Sequence, residues 1–391
     1  MALFPTYVKR EMVPAKGEGN VLIDEQGKRY LDFTSGLGVC NLGHCHPRVT
    51  AALTEQASCL WHVSNLFPIP IQQRVAERLT QATGMGAAFF CNSGAEANEA
   101  AIKLVRKAAQ EKRGITNPEI LTFKGSFHGR TLATLTATGQ EKVKTGFSPL
   151  PAGFVTIAPE MEAVREATHE QTAAVMLELV QGEGGVCPID PTFLQELVLF
   201  CHERGLLLVV DEIQTGMGRT GTLFAAQQYG LHPDVMTVAK GLGNGLPVGA
   251  MLARAELKEH FGVGSHGTTF GGNPLVMAAA NAVLEELEQE SLLGQVREMG
   301  EYLCSLLQER IGEHPAVTQI RGMGLMIGIQ LLQEAGPIIT SCEKEGLLVL
   351  PAGPNVIRLL PPLLVTKEEV KVAVTTLAHV LTRQMSTPQV G

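Results

Sequence analysis

The run Asp234-Val235-Met236-Thr237-Val238-Ala239-Lys240-Gly241-Leu242-Gly243-Asn244-Gly245 is a short apolar stretch that ends in a single amine and then breaks into glycines. An apolar run bounded by a turn signal reads as a buried strand. The lysine just past it has lost solvent but keeps room to move. Upstream, Leu206-Leu207-Leu208-Val209-Val210 has the same texture and ends in Asp211. Further runs at 87–91, 119–123 and 173–177 are separated, for the most part, by helical stretches. Strands that are apolar throughout, and that alternate with helices, predict an α/β fold with a mostly parallel central sheet covered by helices on both faces.

Beyond about residue 280 the texture changes. Helices are predicted over 276–290 and 296–311, a strand over 324–329, and a last helix beginning at Thr366-Lys367-Glu368-Glu369, which has capping-box spacing. The resulting organisation is a large domain over 56–280, a smaller α/β domain over 281–391, and an N-terminal segment, 1–55, that joins the smaller one. With 391 residues, 45% of them hydrophobic, the chain can bury the core that two unequal domains need.

A net charge of -8 and a pI near 5.8 count against nucleic acid or an acidic membrane as partner. No stretch has the length to cross a bilayer and the start has no signal-peptide core, so a cytoplasmic protein is expected. The eight cysteines lack a disulfide rhythm. Cys40, His44, Cys45 and His46 lack a second ligand pair at zinc-site spacing, so packing roles and no metal are expected.

In an open parallel sheet ligands bind beyond the carboxyl ends of the strands, so the residue after each run carries the functional question. Asp211 and Lys240 together suggest pyridoxal phosphate chemistry, with the lysine holding the aldehyde as a Schiff base and the aspartate keeping the pyridine nitrogen protonated. After 87–91 comes Asn92-Ser93-Gly94-Ala95-Glu96-Ala97-Asn98-Glu99, a hydroxyl and a glycine at a helix start. Such a turn can cradle a phosphate, and it is equally what an ordinary N-cap looks like. After 119–123 come Lys124-Gly125-Ser126-Phe127-His128-Gly129-Arg130-Thr131. Phe127 has the shape to stack on a flat cofactor and Arg130 to grip a carboxylate with two parallel hydrogen bonds; a core ring and a surface guanidinium would use the same residue types.

Gln181-Gly182-Glu183-Gly184-Gly185 surrounds a carboxylate with flexible backbone, and Val356-Ile357-Arg358-Leu359-Leu360 sets an arginine in an apolar strand where burial without a partner would be costly. Glu183 is the candidate partner. Gly216-Met217-Gly218-Arg219-Thr220-Gly221 matches a dinucleotide fingerprint in letters only, because Asp211 to Thr215 separates it from its strand and no acidic residue follows at the required distance.

Six motifs in series, from Asn92-Ser93-Gly94 through Ser126-Phe127-His128-Gly129-Arg130, Gln181-Gly182-Glu183-Gly184-Gly185, Asp211-Glu212-Ile213-Gln214, Ala239-Lys240-Gly241 and Thr268-Thr269-Phe270-Gly271-Gly272, resemble the class III aminotransferases of the fold type I group. Within that family Leu60-Trp61-His62-Val63-Ser64-Asn65-Leu66-Phe67 and the short length resemble the acetylornithine branch most closely. The resemblance implies that Ser93, Gly94 and Ala95 hold the phosphate, Phe127 covers the ring, Asp211 binds the pyridine nitrogen and Gln214 reaches the phenolic oxygen. It also implies that Lys240 carries the cofactor, and that Thr269 completes the phosphate site of a neighbouring subunit in a homodimer. Strand alternation would put Asp211 and Gln214 on opposite faces, so both can touch one ring only if the strand ends near Asp211.

The implied reaction moves the terminal amine of N2-acetylornithine to 2-oxoglutarate, in arginine biosynthesis. Arg130 would take the donor's carboxylate, Glu183 would neutralise Arg358 meanwhile, and Arg358 would then bind the second carboxylate of the keto acid. Leu37 stands where ornithine aminotransferases carry a tyrosine that meets a free α-amino group, which favours an acylated donor. Ornithine, succinylornithine, succinyl-diaminopimelate and other ω-amino donors remain alternatives. An intramolecular aminomutase would share the cofactor site but need no separate keto acid, and a regulatory protein would need a DNA-binding extension for which no residues are spare.

Overall fold

The computed structural model describes residues 2–289 and 291–385. Its centre is a seven-stranded sheet in the order Ala87–Cys91, Gly249–Ala253, Val235–Val238, Leu207–Asp211, Thr172–Glu178, Glu119–Phe123, Phe154–Ile157. Thr172–Glu178 and Val235–Val238 are buried at every position, the burial that a parallel strand covered on both faces requires. Side chains alternate between the two faces: Val175 and Leu177 enter one hydrophobic cluster, and Ala174 and Met176 the other.

The expected strand at 206–210 is seen as Leu207–Asp211, so it does end at Asp211. Two strands of this sheet were not anticipated. Phe154–Ile157 is an edge strand, and Gly249–Ala253 is the one antiparallel member, because the chain turns straight back after Lys240 instead of crossing over through a helix. Its small residues are dictated by neighbours, since a Cβ at Gly249 would lie 2.5 Å from the Ser93 carbonyl oxygen.

The helix expected over 276–290 runs Pro274–Leu287, and Glu290 lies outside the described residues. The next runs Leu292–Ile311. The strand expected at 324–329 runs Met326–Leu331 and forms a hairpin with Val317–Met323. That hairpin belongs to a four-stranded antiparallel sheet with Val356–Leu359 and Leu350–Pro351. Thr366 and Glu369 form the expected capping box reciprocally, at 2.8 and 3.2 Å, ahead of the helix Lys367–Met385. Near the N terminus, Pro14–Glu18, Val21–Asp24 and Arg29–Asp32 form a sheet that Leu347–Leu348 joins in parallel, so this segment pairs with the C-terminal part of the chain. Among the described residues no helix is long and apolar enough to cross a membrane.

Candidate active site

Three neighbouring strands finish in register, which sets Glu178, Asp211 and Thr237 side by side at the carboxyl edge of the sheet. The helix Gly94–Arg113 presents Asn98 to this row. The Thr237 hydroxyl donates to Asn98 Oδ1 at 2.7 Å, and Asn98 Nδ2 donates to Asp211 Oδ2 at 2.8 Å. His128 Nδ1 lies 2.8 Å from the same oxygen, and the Ile213 backbone N–H donates to Oδ1 at 3.0 Å. Asp211 is thereby fixed in orientation while only 4% exposed. Burial opposes charge on His128, but the bond to Asp211 and the nearby carboxylates outweigh it and raise the imidazole's pKa. Glu178 accepts from the Phe127 N–H at 2.9 Å; burial pushes its carboxyl up to about 7, against the pull of His128.

Past Val238 the backbone turns sharply, and Lys240 has φ +41° in the left-handed region. A non-glycine residue there carries local strain, which tends to mark functional positions. Lys240 faces a cavity of about 390 Å³ together with Ser93, Gly94, Ala95, Phe127, Arg130, Glu178, Glu183, Asp211, Ile213 and Gln214. Burial lowers its amine to about 8, with Glu183 pulling upward and Arg358 downward.

Ser93 caps the helix Gly94–Arg113 by accepting from the Glu96 N–H at 3.2 Å. Gly94 is sterically required, since a Cβ would come within 2.8 Å of Ile213 Cδ1. Arg130 is exposed at the cavity mouth, its guanidinium 5.6 Å from the Phe127 ring centre.

Arg358 is 1% exposed and donates to Glu183 Oε1 at 2.6 Å and to Gln214 Oε1 at 3.0 Å. Burial alone would raise the Glu183 carboxyl, but Arg358, with a smaller contribution from Lys240, holds it below its ordinary range. The loop carrying Glu183 and the strand carrying Arg358 therefore meet as their residue types predicted.

Three predicted residues do not line the cavity. Arg358 lies behind Glu183 and Gln214, which do. Leu37 is 49% exposed at a turn of positive φ, where its neighbour Val39 takes the lining position, and Thr269 is exposed to solvent in the single chain. Conversely, sequence reasoning assigned no role to Ile213, His128, Glu178, Asn98 or Thr237. Glu178 could have been found by the rule that singled out Asp211, being the first carboxylate after an apolar run. Asn98 gave no such signal, since it sits mid-helix.

A family model described as aminotransferase class-III matches residues 5–381. The chain belongs to the class-III aminotransferases. This class-III aminotransferase is 57% identical to a protein of Halalkalibacterium halodurans named acetylornithine aminotransferase, over 97% of each chain. It superposes on the ornithine aminotransferase of Toxoplasma gondii with a TM-score of 0.95, at 32% identity, over 98% of this chain and 93% of that one. Its TM-score with the N-acetylornithine aminotransferase of Stenotrophomonas maltophilia is 0.85, at 38% identity, over 97% of each chain.

Proposed function

We propose that the enzyme transfers the terminal amine of N2-acetylornithine to 2-oxoglutarate, giving N-acetylglutamate 5-semialdehyde and glutamate, with pyridoxal 5′-phosphate as cofactor. The observation that carries this reading is a pair of unlike arginines, one on the lysine-bearing cavity and one just behind its wall. Arg358 is buried and masked by Glu183 at 2.6 Å, and Arg130 is exposed with no ion pair among the described residues. One arginine is free for a donor's carboxylate and the other is available on demand for a second carboxylate.

The residues present fit the cofactor. Among the described residues Asp211 Oδ1 accepts only the Ile213 N–H, and Asp211 lines the cavity, so a lone pair is left for a protonated ring nitrogen. The start of the helix Gly94–Arg113 offers unpaired N–H groups and a favourable dipole to a phosphate. Phe127 and Ile213 line the cavity and would supply apolar surfaces for a ring, and Gln214, also lining it, would reach the phenolic oxygen. Pyridoxal phosphate, when bound, supplies a carbonyl to which amines attach and a ring that draws electrons from them.

Lys240 would hold that carbonyl, and its amine, when free, would serve as the base and acid that moves a proton at the substrate. An amine near 8 suits this shuttle, because a useful fraction is unprotonated close to neutral pH. Asp211, clamped by Asn98, His128 and Ile213, keeps a proton on the ring nitrogen. Arg130 orients the donor by its carboxylate while Glu183 covers Arg358. When the keto acid arrives, Glu183 moves off and Arg358 takes the second carboxylate with its two-pronged guanidinium.

The acylated donor is supported by the names of the relatives; Leu37, half-exposed outside the cavity, gives that choice no support. Ornithine is the second reading, favoured by the close superposition on the Toxoplasma enzyme. A panel of ω-amino donors, acylated and free, assayed with 2-oxoglutarate for glutamate formation decides between them. A kcat/KM for N2-acetylornithine at least tenfold above that for ornithine is expected, and equal values would overturn the assignment.

Homodimer formation belongs to the same proposal. Trp61, Leu66, Phe67 and Phe270 are exposed large apolar groups, and Asn65 Nδ2 donates to the Gly271 carbonyl at 3.0 Å, which joins the two segments into one patch. A second copy covering this patch would bury it and bring Thr269 towards the neighbouring phosphate site.

A further inference from the structure

Arg321, on the strand Val317–Met323, stands opposite Gly328, and Gly328 stands opposite Arg358 on the next strand. Residues directly opposed in antiparallel strands share a face, so the two arginines flank a gap left by the glycine. The Glu183 loop rests in that gap. A Cβ at Gly328 would come within 2.8 Å of Val186 Cβ and 3.2 Å of the Gly185 carbonyl oxygen. The Arg321 guanidinium donates to that same Gly185 oxygen from Nε at 3.1 Å and Nη2 at 2.7 Å, and to the Val186 oxygen from Nε at 3.1 Å. Its own orientation is fixed by Gln319 Oε1 at 2.7 Å and Gln330 Oε1 at 3.0 Å.

The loop has little rigidity of its own. Gly182, Gly184 and Gly185 surround Glu183, and Gly185 and Val186 have φ of +112° and +54°. Glycine widens the accessible backbone, and a β-branched residue at positive φ is held there only by its surroundings. The two ends of the loop are tied to each other by the pairing of Val180–Gln181 with Cys187–Pro188, which leaves the stretch between them to be held by its surroundings. The only guanidinium on the carbonyls next to Glu183, among the described residues, is that of Arg321.

We propose that Arg321 is a positioning residue: through Gly185 and Val186 it anchors the Glu183 loop over Gly328, so that the Glu183 carboxylate returns to Arg358 each time the site must accept a monocarboxylate donor. The inference rests on the reading of Glu183 as the mask of Arg358. Arg321 does not touch a substrate. Its contribution lies in the choice between substrates, because a loosened loop leaves Arg358 uncovered and lets glutamate compete as donor.

The test uses the holoenzyme with Arg321→Gln, Arg321→Lys, Gly328→Ala and Glu183→Gln. For each, single-turnover kcat/KM is measured separately with N2-acetylornithine and with glutamate, and backbone hydrogen exchange is followed over residues 180–188. Arg321→Gln should lower the acetylornithine-to-glutamate ratio by about tenfold and speed exchange in the loop by a similar factor, as expected when hydrogen bonds from a charged donor are lost. Arg321→Lys, with one point charge in place of a fork, should recover part of both. Gly328→Ala should reproduce the loop exchange without removing any charge. If both half-reactions fall equally with unchanged loop exchange, Arg321 is structural and the inference fails. A shifted ratio in Glu183→Gln but not in Arg321→Gln also overturns it while leaving the mask intact. An unmoved ratio in Glu183→Gln removes the mask itself; the inference as stated then falls with it, and loop exchange reports only whether Arg321 anchors the backbone.

Discussion

Raising the pH of the cofactor-free enzyme should accelerate its uptake of pyridoxal phosphate with a midpoint at about 8, the value to which burial lowers the Lys240 amine. Only the neutral amine attacks a carbonyl. The ordinary lysine value is 10.5, so the lowering to about 8 increases the neutral fraction at pH 7 by roughly 300-fold, from a few in ten thousand to about one in eleven. Stopped-flow absorbance of the coenzyme, from pH 6.5 to 9.5, gives the second-order rate directly. It should climb almost tenfold per unit below pH 7.5 and level off above about 8.5. The charges around the amine supply an internal control. Glu183 stabilises the ammonium and Arg358 opposes it, so Glu183→Gln should move the midpoint lower. A wild-type midpoint near 10.5, or a rate indifferent to pH across this range, would refute the claim that burial activates this lysine. A midpoint that rises in Glu183→Gln would refute the charge balance.

Gly94→Ala forces a methyl within 2.8 Å of the Ile213 side chain, and overpacking of this kind costs about 1 to 3 kcal/mol. Because Ile213 lines the cavity, displacing its side chain to relieve the clash should appear as a cofactor Kd at least about fivefold weaker by titration, and any clash left unrelieved should lower the unfolding temperature of the cofactor-free protein. A second prediction concerns His44, raised to about 10 chiefly by its hydrogen bond to Asp32 at 2.7 Å, then by Cys40 and against burial. A raised folded-state pKa gives stability that is complete below the unfolded value of 6.5 and lost as pH rises towards 10. Urea unfolding at pH 6 and pH 9 should therefore differ by on the order of 2 kcal/mol more in the native enzyme than in His44→Gln, and equal differences would remove the ion pair from the account.

Much of this architecture could be read from the chain because parallel strands need apolar residues at every position, and such runs stand out without an alignment. Asp211 and Lys240 were visible for the same reason: a charge directly after a buried run has few places to go. The clearest omissions share a different cause. Gly249–Ala253 is only five residues with three of them Gly or Ala, and it pairs only because the chain doubles back after Lys240. Asn98 lies on a helix whose periodicity says which residues are buried, not that one of them bonds Asp211 across 113 positions. Glu183 and Arg358, 175 residues apart, were matched on the cost of burying an unpaired arginine, an energetic rather than a local signal. That argument gave a partner but not its support. Nothing in the run around Arg321 distinguishes a guanidinium that grips backbone carbonyls from one in solvent.

The site separates groups that must stay still from groups that must move, and the separation follows the sheets. Glu178, Asp211 and Thr237 stand side by side at the carboxyl edge of one buried sheet, and a helix locks Asp211 and Thr237 through Asn98. A carboxylate so held keeps the same orientation for either substrate. Glu183 and Arg358, by contrast, join a loop next to the large sheet to a strand of the small one. Their bond crosses between two bodies of secondary structure and depends on a glycine-rich backbone. Removing a member of the first group, as in Asn98→Ala, should slow both half-reactions together, because the proposed role of Asp211 at the ring nitrogen serves both. Removing a member of the second should slow one and spare or favour the other. The ratio of the two half-reactions is therefore the quantity that tells chemistry from choice in this enzyme, and the total rate alone does not.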